Sequence, residues 1–355
     1  MRLTPLVSSA AAVLLVALAV WLALDVPGAA TDEDPADAAG QRVSPAAATI
    51  TVDPGDGARA IGDKLAAAGV IDSPRRFETL VALFGYEANL AAGDYDFEAG
   101  LTTTEIIERI RAGITAPLVV TIPEGLRIEE IAERLDDEGI LPAVDFLIAT
   151  RNPANWEGTS AAGRPAGVSI EGYLFPSTYR LSARATGDAV VRAMLERFDD
   201  QISPEIEAAI RASGRTLHDV LTIASIVERE AVLAGERATI ASVFWNRVRD
   251  VIALQADPTV QYAIAAEPAN VLAFGYWKPV LEAADLTYSS LFNTYVVIGL
   301  PPTPIAAPGL ASILAAVEPA TTEFLYFVSR GDGSHVFAAT FGEHLENVVR
   351  FQGEE

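Results

Sequence analysis

The stretch SIEGYLFPSTYRL, from Ser169 to Leu181, opens the main folded part of the chain and carries a single carboxylate, Glu171. Aromatic and aliphatic side chains surround this carboxylate in the sequence, among them Tyr173 and Phe175. Such surroundings disfavour the charged form, so the pKa of Glu171 is expected to rise toward the range of a general acid. An acidic residue before a glycine turn is more often a solvated loop residue or a cap, so the stretch alone leaves both interpretations open.

Downstream of this stretch, helical patterns alternate with turn signals. Apolar residues at helical spacing predict two helices, TLHDVLTIASIVEREAV from Thr216 to about Val232 and ERATIASVFWNRVR from about Glu236 to Arg249. The Pro-rich segment FNTYVVIGLPPTPIAAPG, from Phe292 to Gly309, cannot be a helix or a central strand. FLYFVSR and SHVFAAT flank the turn Gly331-Asp332-Gly333, which predicts a β-hairpin. The pattern therefore predicts a mixed α+β domain.

Upstream of Ser169, the chain contains an internal repeat. TVDPGDGARAIGDKLAAAGVI begins at Thr51 and TIPEGLRIEEIAERLDDEGIL begins at Thr121, an offset of 70 residues. The pattern of each copy predicts a short strand, a glycine turn and a helix that ends at a glycine. The pattern is similar to LysM-like modules that lie along glycan chains, and a structural duplication that binds nothing is an equal alternative.

The amino terminus predicts a membrane anchor. Leu6 to Leu24 is 19 residues without a charge, close to the roughly 20 that cross the hydrocarbon core. Arg2 precedes this stretch and Asp25 follows it, which favours a cytoplasmic N-terminus. The rest of the chain is then expected outside the cytoplasm, anchored in the plasma (inner) membrane by a single helix. A cleaved signal peptide is the alternative, because small residues follow from Gly28.

These signals divide the chain into five segments. An Ala-, Asp- and Pro-rich spacer with almost nothing to bury separates the apolar helix from the first repeat. The sequence predicts a cytoplasmic tip and transmembrane helix over 1–26, a disordered linker over 27–48, a LysM-like first repeat over 49–115, a second repeat with a connecting loop over 116–168, and an α+β main domain over 169–355.

Composition excludes several classes of protein. With 25 Lys and Arg against 48 Asp and Glu, the net charge is −23, which excludes a general nucleic-acid binder. The absence of cysteine excludes disulfides, thiolate metal sites and a cysteine nucleophile. His335 and His344 stand apart from other ligand types, and His218 is expected on an exposed helix start, so we predict no metal and no cofactor. A serine hydrolase is disfavoured because GxSxG does not occur.

Seven short motifs carry a resemblance to a known family. In chain order they are EGYLFPSTY, ASIVERE, VFWNRVR, LQADPTVQY, FNTY, GLPPTPI and DGSHVF. In this order they resemble the YceG-like endolytic murein transglycosylases. Ser177 stands where that family usually has Asp, and Thr303 with Pro304 replaces its commoner Gly-Pro or Gly-Ala, so loop details are expected to differ.

The resemblance implies a reaction and its partners. It implies cleavage of the MurNAc–GlcNAc bond inside peptidoglycan glycan strands, leaving 1,6-anhydro-MurNAc ends, with a role in ending glycan elongation as a further hypothesis. It also implies peptidoglycan synthases (penicillin-binding proteins) and the elongation machinery as candidate partners. In this reaction the nucleophile is the 6-hydroxyl of the substrate, so one carboxyl group serves as acid and then base. The resemblance assigns that role to Glu171.

Other polar residues are candidates for substrate binding. Glu228 and Glu230 lie two residues apart on a helix and point to different faces, and the family motif favours Glu228 at the cleft. The remaining predicted substrate-binding residues are Asn246, Gln255, Asp257, Thr259, Tyr262, Asn293 and Tyr295. They could equally hold loops together, and a turn role is favoured for Asp257 before Pro258. The alternative function is a non-catalytic peptidoglycan-binding scaffold of the cell-wall synthesis machinery.

Overall fold

A computed structural model describes residues 47–113, 117–182 and 185–353. The predicted transmembrane helix and nearly all of the predicted linker lie outside these residues. Within them, each helix is too short or too polar to cross a membrane. The chain divides into two compact units, the first ending at Leu118 and the second running from Val119 to the C-terminus. The domain limits drawn from the sequence stay predictions.

The first unit is a small α+β unit. Its elements are β1 (Ala48–Val52), α1 (Ala58–Ala67), α2 (Pro74–Phe84), β2 (Gly93–Phe97) and α3 (Thr103–Ala112). The two strands pair antiparallel with Ile50 opposite Tyr95, so alternate residues of both strands point into one core. That core also holds Phe77 and Ile106, both fully buried. The LysM-like character of this unit stays a prediction.

The second unit contains most of the helices. In chain order its elements are β3 (Leu118–Thr121), α4 (Ile128–Asp137), α5 (Ala143–Ala149), β4 (Thr178–Leu181), α6 (Gly187–Gln201), α7 (Pro204–Ser213), α8 (Leu217–Glu230), α9 (Arg237–Arg249), α10 (Asp257–Ile264), α11 (Pro268–Phe274), α12 (Leu310–Val317), β5 (Tyr326–Ser329), β6 (His335–Ala338) and α13 (Phe341–Gln352). β3 pairs with β4, and β5 pairs antiparallel with β6. The mixed α+β class and the predicted hairpin are confirmed.

Helix α8 is the central helix of this unit. The Thr216 hydroxyl accepts from the Asp219 N–H and the Asp219 carboxylate accepts from the Thr216 N–H, which satisfies two donors of the helix start. Every residue from Val220 to Val227 is buried, because α9 and α12 pack against it. His218, expected on an exposed helix start, is instead buried, with Tyr173 Oη and the Pro302 carbonyl oxygen at its two ring nitrogens.

The Pro-rich segment is irregular, and it holds two loops in place. The Gly125 N–H donates to the Ala307 carbonyl at 2.8 Å, and the Ala307 N–H donates back to Leu126 at the same distance. Gly172 has a φ of +83°, and a Cβ there would lie 2.5 Å from the Pro304 Cβ. Only glycine fits that position, so the loop that carries Glu171 packs directly against the Pro-rich segment.

Candidate active site

Helix α8 ends at a cavity of about 420 Å³ that is lined mainly by polar side chains. Residues from six separate stretches of the second unit form its walls: Glu230, Arg247, Leu254, Gln255, Asp257, Tyr295, Phe327, Val328, Ser329, His335, His344, Val348 and Gln352. Three of the predicted substrate-binding residues, Gln255, Asp257 and Tyr295, therefore lie together. A concavity where polar side chains converge and a carboxyl group has a shifted pKa is a candidate ligand site.

Glu230 is the last residue of α8, and it is partly exposed at this cavity. Among the residues that the structure describes, no group hydrogen bonds or ion-pairs with its carboxylate. Burial of the carboxyl group, followed by the negative charge of Asp257, raises the pKa of Glu230 to about 8. A carboxyl group with this pKa is largely protonated at neutral pH and can donate a proton to a ligand.

Arg247 forms the rigid floor of the cavity. It is 7% exposed, and its Nε donates to the Leu325 carbonyl at 2.6 Å. Its Nη1 donates to the backbone oxygens of Ala253 and Leu254 and, at 3.2 Å, to Gln255 Oε1. Gln255 itself has a φ of +48°, a strained value for a residue with a Cβ. The guanidinium group therefore fixes the turn that leads into α10.

Asp257 and Tyr295 form a second polar pair in the wall. The Tyr295 hydroxyl donates to Asp257 Oδ1 at 2.6 Å, and Asp257 is exposed at the first position of α10. Burial and the bond to Asp257 both raise the pKa of Tyr295, so its hydroxyl keeps its proton. Asp257 thus begins a helix before Pro258, and its carboxylate is available to the cavity.

Two histidines complete the cavity. His335 Nδ1 lies 2.7 Å from Glu236 Oε2, and the backbone N–H of His335 donates to Glu236 Oε1 at 3.0 Å. No hydrogen bond to the other ring nitrogen, Nε2, is found within the described part of the chain. A carboxylate that holds one side of an imidazole fixes the direction of the opposite nitrogen. Burial followed by the charge of Arg247 lowers the pKa of His344, which favours its neutral form.

Glu171 lies in a different environment. It is 2% exposed, and its two carboxylate oxygens accept from the Ile128 N–H, the first of α4, at 3.2 and 3.3 Å. Tyr262 Oη donates to Glu171 Oε2 at 3.4 Å. Burial and then Glu129 raise the pKa of Glu171 to about 8, against the opposing effects of Arg127 and these hydrogen bonds. The expected rise in pKa is present, but the carboxyl group is closed off from solvent.

Glu228, which the sequence places at the cleft, is not among the residues that line the polar cavity, and its role in substrate binding stays a prediction. Its Oε2 accepts from the Gly309 N–H at 3.0 Å, and its Oε1 lies 3.9 Å from Arg237. The two glutamates lie about 200° apart around α8, so the cavity-facing side of the helix presents Glu230. Glu228 instead fixes the start of α12.

Three other predicted substrate-binding residues hold backbone in place. Asn246 Nδ2 donates to the carbonyls of residues 322 and 324, at 3.0 Å each. Asn293 is fully buried and donates to the carbonyls of residues 286 and 288. Thr259 is also fully buried and bonds to Ala256 and Thr294. Tyr262 lines a separate cavity beside Glu171. Across the described ranges, no group of three or more possible ligands could hold a metal ion.

Comparison with known proteins identifies the family of this chain. The model of the YceG-like family matches residues 50–350, so the chain belongs to the YceG-like family. The endolytic murein transglycosylase of Bacillus subtilis (strain 168) is 31% identical over 308 residues, which is 83% of this chain and 82% of that relative. The endolytic murein transglycosylase of Streptococcus pneumoniae serotype 2 is 28% identical over 85% of this chain, which spans only 58% of that relative.

A solved structure also matches this chain. The crystal structure of a YceG-like protein from Listeria monocytogenes has a TM-score of 0.57 and 29% sequence identity. The match covers 84% of this chain and 98% of that one. The sequence-based recognition of the YceG-like family is therefore confirmed.

Sequence reasoning did not assign Glu230, Arg247 or His335 to a polar cavity, nor did it find Glu236, which holds His335 in place. The sequence signal for Glu230 was its position at the end of the predicted helix, because a side chain at the end of a helix can face a cleft. Arg247 and His335 stand in motifs that carried the resemblance, VFWNRVR and DGSHVF. No spacing rule brings these two segments together, since about 90 residues separate them.

Proposed function

We propose that this chain is an endolytic murein transglycosylase, a peptidoglycan lytic transglycosylase, with Glu230 as its acid and base. The observation that carries the assignment is an unpaired carboxyl group with a pKa of about 8 that faces a polar cavity. The names of the relatives from B. subtilis and S. pneumoniae support the substrate class. Sugars bind through many hydrogen bonds, and this cavity offers amide, carboxylate, hydroxyl and imidazole groups.

The reaction needs only one titrating side chain. Protonated Glu230 donates its proton to the glycosidic oxygen as the bond from MurNAc C1 breaks. The 6-hydroxyl of the same MurNAc attacks C1, and the Glu230 carboxylate accepts the hydroxyl proton. The products are a 1,6-anhydro-MurNAc end and a free GlcNAc hydroxyl, and Glu230 is again protonated. Water takes no part in the reaction, so no second carboxylate is needed to activate a water molecule.

The other cavity residues support this chemistry. Asp257 brings negative charge, which raises the pKa of Glu230 and stabilises positive charge that develops on the sugar ring. Gln255 and Tyr295 supply hydrogen-bonding groups held in place by Arg247 and Asp257. Because the cavity is built from rigid helix ends and a buried guanidinium group, these groups are ordered before the substrate arrives.

Glu171 is the weaker candidate for the catalytic acid. To protonate a glycosidic oxygen it would have to leave its bonds to Ile128 and Tyr262 and gain access to the strand. A carboxyl group between a helix start and the hydroxyl of a half-buried tyrosine serves instead to join α4 to α10. Its catalytic assignment stays a prediction from the sequence.

Digestion of purified glycan strands tests the proposed function. The expected products are internal fragments that end in 1,6-anhydro-MurNAc, detected by mass spectrometry. Reducing ends in place of anhydro ends would indicate hydrolysis and contradict the proposal. Sacculus binding without any cleavage would favour the scaffold alternative.

We further propose that the chain acts outside the cytoplasm on a retained helix and works beside peptidoglycan synthases. The support is the uncharged run from Leu6 to Leu24 with its acidic flank, together with a substrate that lies outside the plasma membrane. Protease added to intact spheroplasts should digest the bulk of the chain. Full protection would reverse the topology, and a mature terminus near Ala30 would show cleavage of the helix.

A further inference from the structure

A second cavity, of about 710 Å³, lies in the same unit and is not used by the proposed reaction. Tyr262, Tyr276 and Phe292 provide aromatic wall, and small side chains at Ala263, Ala265 and Ala266 leave the space between them. Apolar walls of this kind accept methyl groups and short aliphatic side chains.

Arg127 provides the charged part of this cavity. It is 4% exposed, and its guanidinium carbon lies 4.0 Å from the ring centre of Tyr262 and 5.3 Å from that of Tyr276. Its Nη1 donates to the Tyr262 carbonyl at 3.4 Å, and its Nε lies 3.3 Å from Glu129. In the described ranges no hydrogen bond from Nη2 is found. A buried guanidinium group with an unused donor suits a carboxylate.

Glu129 gives the cavity a charge of the opposite sign. Its side chain is 40% exposed and lines the rim, where it can meet an ammonium group. A ligand that satisfies the whole cavity therefore carries a carboxylate, an ammonium group and small apolar side chains. A short peptide has this chemistry, and the MurNAc units of peptidoglycan carry short peptide stems rich in alanine.

Helix α10 joins the two cavities. Its first residue, Asp257, lines the Glu230 cavity, and Tyr262 lines the second one. Tyr262 follows Asp257 by five positions, a rise of about 7.5 Å and a rotation of about 140°, which is a path of about 14 Å over the surface of a helix about 10 Å wide. An extended peptide of three to five residues spans about 10 to 18 Å. A stem of about four or five residues, attached to a sugar in the Glu230 cavity, is therefore long enough to reach the second cavity.

We propose that the cavity at Arg127 and Tyr262 binds the peptide stem of the strand being cleaved, with Arg127 holding a stem carboxylate. This inference rests on the proposed function, because it takes the stem to belong to the glycan strand that occupies the Glu230 cavity. It makes the stem a specificity determinant. Stem-bearing strands bind more tightly than bare strands, while the chemistry at Glu230 is the same for both.

Two matched variants test the inference on glycan with stems and on glycan stripped of stems by an amidase. Ala266→Glu adds a carboxylate to the wall, and Ala269→Glu adds one to an exposed position of α11 that does not line the cavity. Ala266→Glu should raise the KM for stem-bearing strands about fivefold by repelling the stem carboxylate. It should leave bare strands unchanged, and Ala269→Glu should leave both unchanged.

Two outcomes overturn the inference. One is equal KM values of the parent for the two substrates, and the other is an Ala266→Glu effect that is the same on both. Leu272→Glu, at a lining position that is 91% exposed, replaces Ala266→Glu if the latter unfolds. Titration of the parent with a free stem tetrapeptide separates this inference from the proposed function. Binding that Ala266→Glu weakens supports the cavity even if no strand is cleaved, and no binding rejects it.

Discussion

The second unit holds two glutamates whose carboxyl groups share a pKa of about 8 and differ in almost everything else. Glu171 is 2% exposed and bonded to Ile128 and Tyr262. Glu230 is partly exposed and faces a polar cavity. Burial raises the pKa in both, so a raised pKa alone does not identify a catalytic acid. Access to a ligand and an uncommitted carboxyl group distinguish the two regions.

The largest effect is expected for Glu230→Gln. The amide keeps the size of the side chain but cannot donate a proton to the glycosidic oxygen, so the rate should fall by about 10²- to 10⁴-fold. Initial rates of anhydro-end formation measure this loss. Glu207→Gln, an exposed change on α7, is the matched control and should keep the parent rate. An unchanged melting temperature shows that the loss does not come from unfolding.

The second largest effect is expected in the pH dependence of activity, which distinguishes the carboxyl groups of Glu230 and Glu171. The acid must be protonated, so kcat/KM should fall as the pH rises through about 8. Asp257→Asn removes the negative neighbour that raises the pKa of Glu230, so the same fall should begin at lower pH. Glu171→Gln should leave the midpoint of the fall where it is. A midpoint that moves in Glu171→Gln and not in Asp257→Asn would contradict the assignment.

Glu171 should affect stability more than activity. Its pKa is raised from 4.5 to about 8 on folding, so between these pH values the unfolded chain loses the proton first. The free energy of unfolding therefore falls as the pH rises through this window, by at most about 1.4 kcal/mol per pH unit from this group. Glu171→Gln should flatten that dependence, as measured by urea unfolding at pH 5, 7 and 8.5. Parallel curves for the parent and Glu171→Gln would contradict the buried environment.

The smallest effect is expected at the wall of the Glu230 cavity. His335→Asn can keep the bond to Glu236 but removes the outer ring nitrogen, so KM should rise about threefold with little change in kcat. Steady-state kinetics on one glycan substrate separate the two constants. His218→Asn, buried elsewhere in the unit, should change stability and not KM. Equal KM values for His335→Asn and the parent would remove His335 from the binding site.

The sequence predicted local structure better than the site. Helix α8 follows its apolar periodicity, and the β5–β6 hairpin follows from its glycine turn. The side chains that gather at the end of α8 come from distant segments, and periodicity carries no information about that packing. Residue type was equally uninformative for Asn246 and Asn293, because an amide suits a backbone carbonyl as well as a sugar hydroxyl.

The most direct measurement compares Glu171→Gln and Glu230→Gln on the same purified glycan strands. Both changes replace a carboxyl group by an amide of the same size, so any difference comes from the two environments. We expect Glu171→Gln to form 1,6-anhydro-MurNAc ends at a rate within a few-fold of the parent, and Glu230→Gln to form almost none. An active Glu230→Gln beside an inactive, folded Glu171→Gln would show that the buried carboxyl group is the catalytic one.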